Sequence, residues 1–307
     1  MKKRSRAFLL LTLLVVLMLT SCLSKKDIAD RYYFQSLAED NSVVVTVDTR
    51  DFKRLGVDLK QENELSALLK RISRFSIAFD LPKEFGEDEL ITNENLKSYN
   101  FKGAIEGNIP SFITNTILLK SSEWEKRVYA NNIRSYRNDK LELEVYAPKK
   151  DLLLFANDNY LEHYYNSYKK RQILIDVKQA TSMANSLFGF YIASPQAMLD
   201  IGLKIPKSAL LQSNSIMLYV NETEEKKMVL GGSIVMKSER LASSLSILLK
   251  SSYIADKRRQ KESFGDLTNL FIVNKETLLI EGLALNEDQV TLLMQLFGQL
   301  LSPLGVS

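Results

Sequence analysis

Apolar positions along this chain keep three rhythms in turn. Residues 7 to 19 form an uncharged run behind Lys2, Lys3, Arg4 and Arg6. A positive stretch followed by an apolar one is the layout of an export signal, and this run is short of the roughly twenty residues that a membrane-spanning helix needs. After it, from Leu23 to Asn41, polar residues lead to Tyr32, Tyr33, Phe34 and Leu37, which predicts a short tether entering a helix. The remainder alternates between strand-like and helix-like periods.

Val43-Val44-Val45-Thr46-Val47, inside Ser42 to Thr49, is β-branched and predicts a strand buried on both faces. Leu65, Leu68, Leu69 and Ile72 gather on one side of a helix. Phe75 to Asp80 alternates as a strand, a polar loop covers Leu81 to Asn100, and Phe101 to Ile109 is the next strand. Pro110 and Ser111 open a helix that the pattern extends to about Arg127. Leu141 to Tyr146 and Leu152 to Phe155 flank a polar turn as a hairpin, and a tyrosine-rich helix from Asn159 to Arg171 follows.

The second half reads as a repeat of the first. Ile117-Leu118-Leu119-Lys120-Ser121-Ser122 recurs as Ile247-Leu248-Leu249-Lys250-Ser251-Ser252, and Gly103-Ala104-Ile105 precedes one copy as Gly232-Ser233-Ile234 precedes the other. Val43 to Val47 matches Ile173 to Val177, and Phe75 to Phe79 matches Ile216 to Val220. The strands Leu270 to Val273 and Thr277 to Leu285 take the place of the first hairpin. Each half then has the β-α-β-β-α-β order of a ferredoxin-like sandwich, with an extra strand and a closing helix. The expected fold is α+β: two tandem repeats, antiparallel sheets with helices on one face, packed together. The expected divisions are a signal over 1–21, a tether and short helix over 22–41, and repeats over 42–171 and 172–307.

The apolar run ends Leu19-Thr20-Ser21-Cys22, and Cys22 is the only cysteine. This ending resembles the lipobox of bacterial lipoproteins. The resemblance implies cleavage before Cys22, with lipid attached to its thiol and a further acyl chain on its amine. Two or more acyl chains make a durable anchor, each buried methylene contributing about 0.8 kcal/mol. Leu23, an uncharged residue after the cysteine, in lipoproteins of Gram-negative rods favours delivery to the outer membrane. A lipid anchor joined to amphipathic helices in an α/β body also resembles outer-membrane lipoproteins of spirochaetes.

The whole chain holds 41 basic and 37 acidic residues, with a formal net charge of +4. All four charges before Cys22 are basic, so the mature chain balances at 37 of each. No basic excess remains for a nucleic-acid partner, which needs a persistent basic face. A lone cysteine excludes a disulfide within the chain, so stability has to come from a hydrophobic core.

Catalytic and metal signatures are absent. His163 is the only histidine, so a His/Cys zinc site cannot form within a monomer, and no cofactor is expected. A Ser-His-Asp arrangement would have to use His163, which has no nucleophile-elbow motif nearby. Tyr160, Tyr164 and Tyr168 make an aromatic stripe, either a packing face or, with Lys169, Lys170 and Arg171, an interfacial one. Gly231-Gly232 lacks the ending of a phosphate loop and reads as strand glycines allowing a bulge or close packing. Lys257, Arg258, Arg259 and Lys261, after the repeated helix, read as a solvated loop or a contact for anionic headgroups.

Asn286 with Gln289 is a helix cap, and the helix it opens carries Val290, Leu292, Leu293, Met294, Leu296, Phe297, Leu300 and Leu301 without a charge. Such a helix is either buried between layers or inserted into a bilayer or an apolar partner. Two functions follow as expectations. The first is a non-enzymatic, membrane-anchored envelope lipoprotein acting as a binding or structural module. The second is a lipid-binding or membrane-perturbing lipoprotein that uses a cleft or the C-terminal helix. Its contacts would be Leu293, Phe297, Leu300, Tyr164 and Tyr168, with phospholipid or another envelope protein as the partner.

Overall fold

The computed structural model describes residues 32–38, 42–49, 71–80, 99–129, 133–157, 160–170, 173–193, 211–264, 267–286 and 289–291. Their strands are β1 (Ser42–Asp48), β2 (Ile72–Asp80), β3 (Asn100–Gly107), β4 (Glu125–Val128), β5 (Arg134–Asn138) and β6 (Leu143–Lys149). They continue as β7 (Leu152–Asn157), β8 (Phe188–Ile192), β9 (Ser213–Glu222), β10 (Met228–Met236), β11 (Phe271–Asn274) and β12 (Thr277–Ala284). The helices are α1 (Tyr32–Leu37), α2 (Ser111–Lys120), α3 (Leu161–Lys170), α4 (Val177–Ala184) and α5 (Glu239–Arg259).

These strands join in one antiparallel sheet ordered β11-β12-β10-β9-β8-β1-β2-β3-β7-β6-β5-β4. The α+β class with an antiparallel sheet is therefore what the chain adopts. At its middle β1 pairs with β8, Val43 facing Ile192, Val45 facing Phe190 and Val47 facing Phe188. Outward from that pair, β1-β2-β3-β7-β6 on one side is answered by β8-β9-β10-β12-β11 on the other. The registers agree as well. Phe75 to Phe79 stands on β2 where Ile216 to Val220 stands on β9, and Gly103 stands on β3 where Gly232 stands on β10. The two halves are thus related by a pseudo-two-fold axis through the Val45–Phe190 pair.

Three expectations change. Both repeats share one sheet, with β1, β2 and β3 side by side rather than in ferredoxin-like order. The cause lies in β1, whose residues are buried throughout and whose second edge needs a partner, which β8 supplies. Ile173 to Val177 is no strand and is not the counterpart of β1. Gln35 of α1 accepts from the backbone N–H groups of Leu174 and Ile175 and donates to the Ile175 carbonyl, and Asp176 then caps α4 by accepting from the Gln179 N–H. The expected helix from Pro110 stops at Lys120, because Ser121 turns extended at φ −78, ψ 129, and residues up to Arg127 enter β4. The helical stripe of Leu65, Leu68 and Leu69 lies outside the described residues, while Ile72 opens β2.

Helices cover both faces of the sheet rather than one. On face A, Val43, Val45, Ile77, Phe155, Phe190 and Leu218 form a core against Leu118 of α2 and Leu245 of α5. On face B, Val44, Ala78, Ala104, Leu154 and Met217 lie beneath Leu37, Leu161, Tyr164 and Met183 from α1, α3 and α4. Period-two alternation sends odd and even residues of β1 and β2 to opposite faces, so each strand feeds two cores. Each such side chain taken fully from water contributes about 1.5–3 kcal/mol.

Face B also buries charge. Arg74 on β2, with its side chain 2% exposed, lies opposite Asp48 on β1 and Glu106 on β3 in the strand register. Its guanidinium donates to Thr46 Oγ1 at 3.0 Å and to the Ser186 carbonyl, and stands 4.0 Å from the Asp48 carboxylate. Lys102, fully buried, reaches Asp80 at 3.8 Å and lies 5.5 and 6.0 Å from the ring centroids of Tyr160 and Tyr164. Buried cations persist only with such carboxylate, carbonyl and aromatic partners.

Candidate functional site

Two helices on face A expose apolar side chains. No residue of α2 is buried, its only charge is Lys120, and Phe112 is 79%, Ile117 56% and Leu119 62% exposed. Pro110 starts it and the Ser121 N–H closes it on the Ile117 carbonyl at 3.1 Å. Of its aliphatic residues, Leu118 is the one that turns onto the face A core. In α5, Ser238 caps the start by accepting from the Leu241 N–H, and Ala242, Leu245 and Ser246 are buried. Ile247 and Leu248 nevertheless stand 64% and 50% exposed. The hexapeptide that the two halves share thus carries outward apolar side chains in both helices, Ile117 and Leu119 in α2 and Ile247 and Leu248 in α5.

Lys257, Arg258 and Arg259 belong to the last turn of α5, where cations complement the helix dipole. They are not a loop. Lys257 pairs with Glu262 at 2.5 Å, which raises the ammonium pKa, and Arg259 pairs with Asp256.

The tyrosine stripe packs inward. Tyr164 is fully buried on face B, so its side chain is closed to any lipid or partner, whereas Tyr168 is half-buried beside Tyr165. The Tyr160 hydroxyl donates to Asp80, and its ring stacks on exposed His163 at 5.2 Å. Burial and the neighbouring Tyr165 hydroxyl push the Tyr146 phenol up to about 12. Two residues from Tyr146 on the same face of β6, buried Glu144 accepts from the Tyr129 hydroxyl at 2.7 Å and from Ser135, and desolvation followed by that carboxylate raises the Tyr129 pKa. These contacts occupy the titratable groups structurally.

Two clefts are lined by described residues, and neither includes His163. A shallow one lies beside Trp124, Arg137 and Asp139. A second, of about 270 Å³, lies on face B between α4 and strands β9, β10 and β12. Among the described residues no group of three or more His, Cys, Asp or Glu side chains is placed to hold a metal, and no helix is long and apolar enough to cross a membrane.

The Asn286 cap forms as its spacing predicts: Asn286 Oδ1 accepts from the Gln289 N–H at 2.8 Å, and Gln289 Oε1 accepts from the Asn286 N–H at 3.0 Å. Leu293, Phe297, Leu300 and Cys22 lie outside the described residues. Sequence reasoning singled out the shared hexapeptide as a repeat marker and passed over Phe112, Ile117, Ile247 and Leu248 as a surface. A signal was present, since α2 is apolar on all sides and so carries more hydrophobic residues than one buried stripe requires.

No protein family and no curated protein sequence matches this chain. Solved structures of TP0453, from the spirochaete Treponema, do resemble it. Crystal form I aligns with a TM-score of 0.51 at 14% identity, covering 87% of this chain and 97% of that one. Crystal forms IV and III give TM-scores of 0.48 and 0.47 at 12% and 13% identity, each covering 84% of this chain and 94% and 95% of theirs. The likeness to form I is one of fold, an α+β chain built on an antiparallel sheet, and its spirochaetal source agrees with the resemblance drawn from the sequence.

Proposed function

We propose that this chain is a non-enzymatic envelope lipoprotein, held at the outer membrane through lipidated Cys22 and acting as a binding module whose partner is the lipid surface itself. The observation that carries the reading is the outward apolar side chains of α2 and α5. Removing a Leu, Ile or Phe side chain fully from water is worth about 1.5–3 kcal/mol, and Phe112, Ile117, Leu119, Ile247 and Leu248, at 50–79% exposure, still have most of that to gain. A lipid anchor keeps a bilayer within reach of them, so that contact becomes effectively intramolecular. Leu293, Phe297 and Leu300, uncharged neighbours in the C-terminal stretch, are assigned the same class of contact, with Tyr168 at the edge of α3. In support of a non-enzymatic role, His163 stacks on Tyr160 away from both clefts.

The test is flotation of the chain from residue 22, carrying Cys22→Ser so that no acyl group contributes, with phospholipid vesicles. Binding that weakens when Phe112→Ser is combined with Ile117→Ser, and again with Ile247→Ser, is the expected result. A chain that stays in the soluble fraction at every lipid concentration overturns the lipid reading and leaves a module for a protein partner.

A further inference from the structure

The pseudo-two-fold axis permits a comparison of like with like, and one place fails to match. In the first half, Ala78, Ala104 and Ala156 lie on face B at 0% exposure, with buried Lys102 between Ala78 and Ala156, and α3 closes over them through Leu161 and Tyr164. The strand registers put Tyr219 and Ser233 at the positions of Ala78 and Ala104 in the second half, and Glu281, in the bulge that follows Ile280, takes the place of Ala156. There the three alanines are replaced by a ring, a hydroxyl and a carboxylate, and they line the cleft of about 270 Å³. Small residues let a helix approach a sheet closely; these larger polar ones stand in its way.

The cleft has a defined floor. The Tyr219 ring lies against Gly231, where an added Cβ would overlap the ring edge and hydroxyl. Glycine at that position keeps the ring down on β10, with no side chain between them. Ser233, 3% exposed, is held by Gln179 of α4, whose Nε2 donates to its Oγ at 3.0 Å. Asn274 and Thr277, from the turn between β11 and β12, complete the rim with an amide and a hydroxyl. The lining therefore combines an aromatic face with short neutral donors and acceptors, the carboxylates of Glu281 and Asp176 and the ammonium of Lys178. A volume at the lower end of the roughly 300–1,000 Å³ of small-molecule sites suits a compact ligand.

We propose that this cleft binds a sugar ring. A pyranose has an apolar C–H face that stacks on an aromatic ring and a rim of hydroxyls that pair with amides, hydroxyls and carboxylates, each hydroxyl both donating and accepting. Tyr219 would take the C–H face, while Gln179, Asn274 and Glu281 take hydroxyls. The site lies on face B, separate from the apolar helices of face A, and does not depend on the lipid reading.

Saturation-transfer NMR on the Cys22→Ser chain, with the methyl glycosides of glucose, galactose and N-acetylglucosamine as probes, tests this. Expected is transfer from at least one of them with a Kd tighter than about 10 mM, lost in Tyr219→Ala and weakened about tenfold in Gln179→Ala, each variant's fold being checked by circular dichroism and its urea midpoint. Tyr168→Ala, on α3, leaves the signal unchanged. No transfer from any probe, or transfer that survives both Tyr219→Ala and Gln179→Ala, overturns the proposal.

Discussion

Val45 stands opposite Phe190 at the point where the two halves of the sheet meet, and the pairs on either side of it, Val43 with Ile192 and Val47 with Phe188, are each other's images. Both central residues are buried, at 0% and 3% exposure. The junction is thus a β ladder with a packed core, not a surface contact between separate domains. Phe190→Ala is expected to cost about 3–5 kcal/mol, and urea unfolding of the parent should show one transition by fluorescence and circular dichroism alike. Two transitions, one for each half, would show that the halves fold independently.

Arg74 sits between Asp48 and Glu106 in the strand register, all three buried. Replacing it with methionine keeps much of the volume and removes the guanidinium that stands 4.0 Å from the buried Asp48 carboxylate and donates to Thr46 and Ser186. The expected loss is about 3–5 kcal/mol, read from the urea midpoint. A loss under about 1 kcal/mol would mean that water reaches this row.

Glycine substitutions should rank by what they strike. A Cβ at Gly103 meets the Phe155 ring and the Ser76 carbonyl, and one at Gly232 meets the Met217 carbonyl and Leu218. Backbone oxygens do not swing aside, so Gly103→Ala and Gly232→Ala should each cost about 1–3 kcal/mol. Gly231→Ala meets only the Tyr219 ring and should cost less while reshaping the cleft.

On α5, neighbouring residues should behave oppositely. Leu245 is 1% and Ile247 64% exposed. Leu245→Ala is expected to lose about 2–5 kcal/mol in thermal or urea unfolding, whereas Ile247→Ser should stay within about 0.5 kcal/mol.

Alkaline titration should expose the Tyr146–Tyr165 pair. The Tyr146 phenol is held up to about 12 in the fold against an ordinary value near 10. Stability from the neutral phenol is complete below pH 10 and fades as pH rises towards 12, because the unfolded chain loses its proton first. Tyr146→Phe should flatten the fall in melting temperature across that interval. An unchanged slope would assign it to other groups.

The strands legible in the sequence were those with a buried, β-branched or alternating pattern: β1, β2, β3 and the β6–β7 and β11–β12 hairpins. Gly103-Ala104-Ile105 and Phe75 to Phe79 found their true counterparts, because registers that fill the same core keep the same residue types. β4 and β5, Glu125–Val128 and Arg134–Asn138, have no apolar rhythm to read. β8 was missed since Phe188-Gly189-Phe190 follows a polar helix, and Ile173 to Val177 mimicked a strand until Gln35, about 140 residues away, claimed its backbone. The exposed helices and the Tyr219 cleft depend on which neighbours leave a side chain uncovered, and that information belongs to the assembled sheet.

Among the described residues, the sheet ends in two edge strands. One is β4, whose Glu125, Lys126 and Arg127 put charge along its rim, and the other is β11, only four residues long. A protein held at a membrane, as proposed above, would be concentrated in two dimensions, where any free ladder of N–H and C=O groups would recruit the next copy and grow into a fibre. A charged rim at one end and a stub at the other deny it that template. Crowding at a membrane would then meet edges that resist pairing, and swapping Lys126 for valine is the change expected to let neighbours zip together.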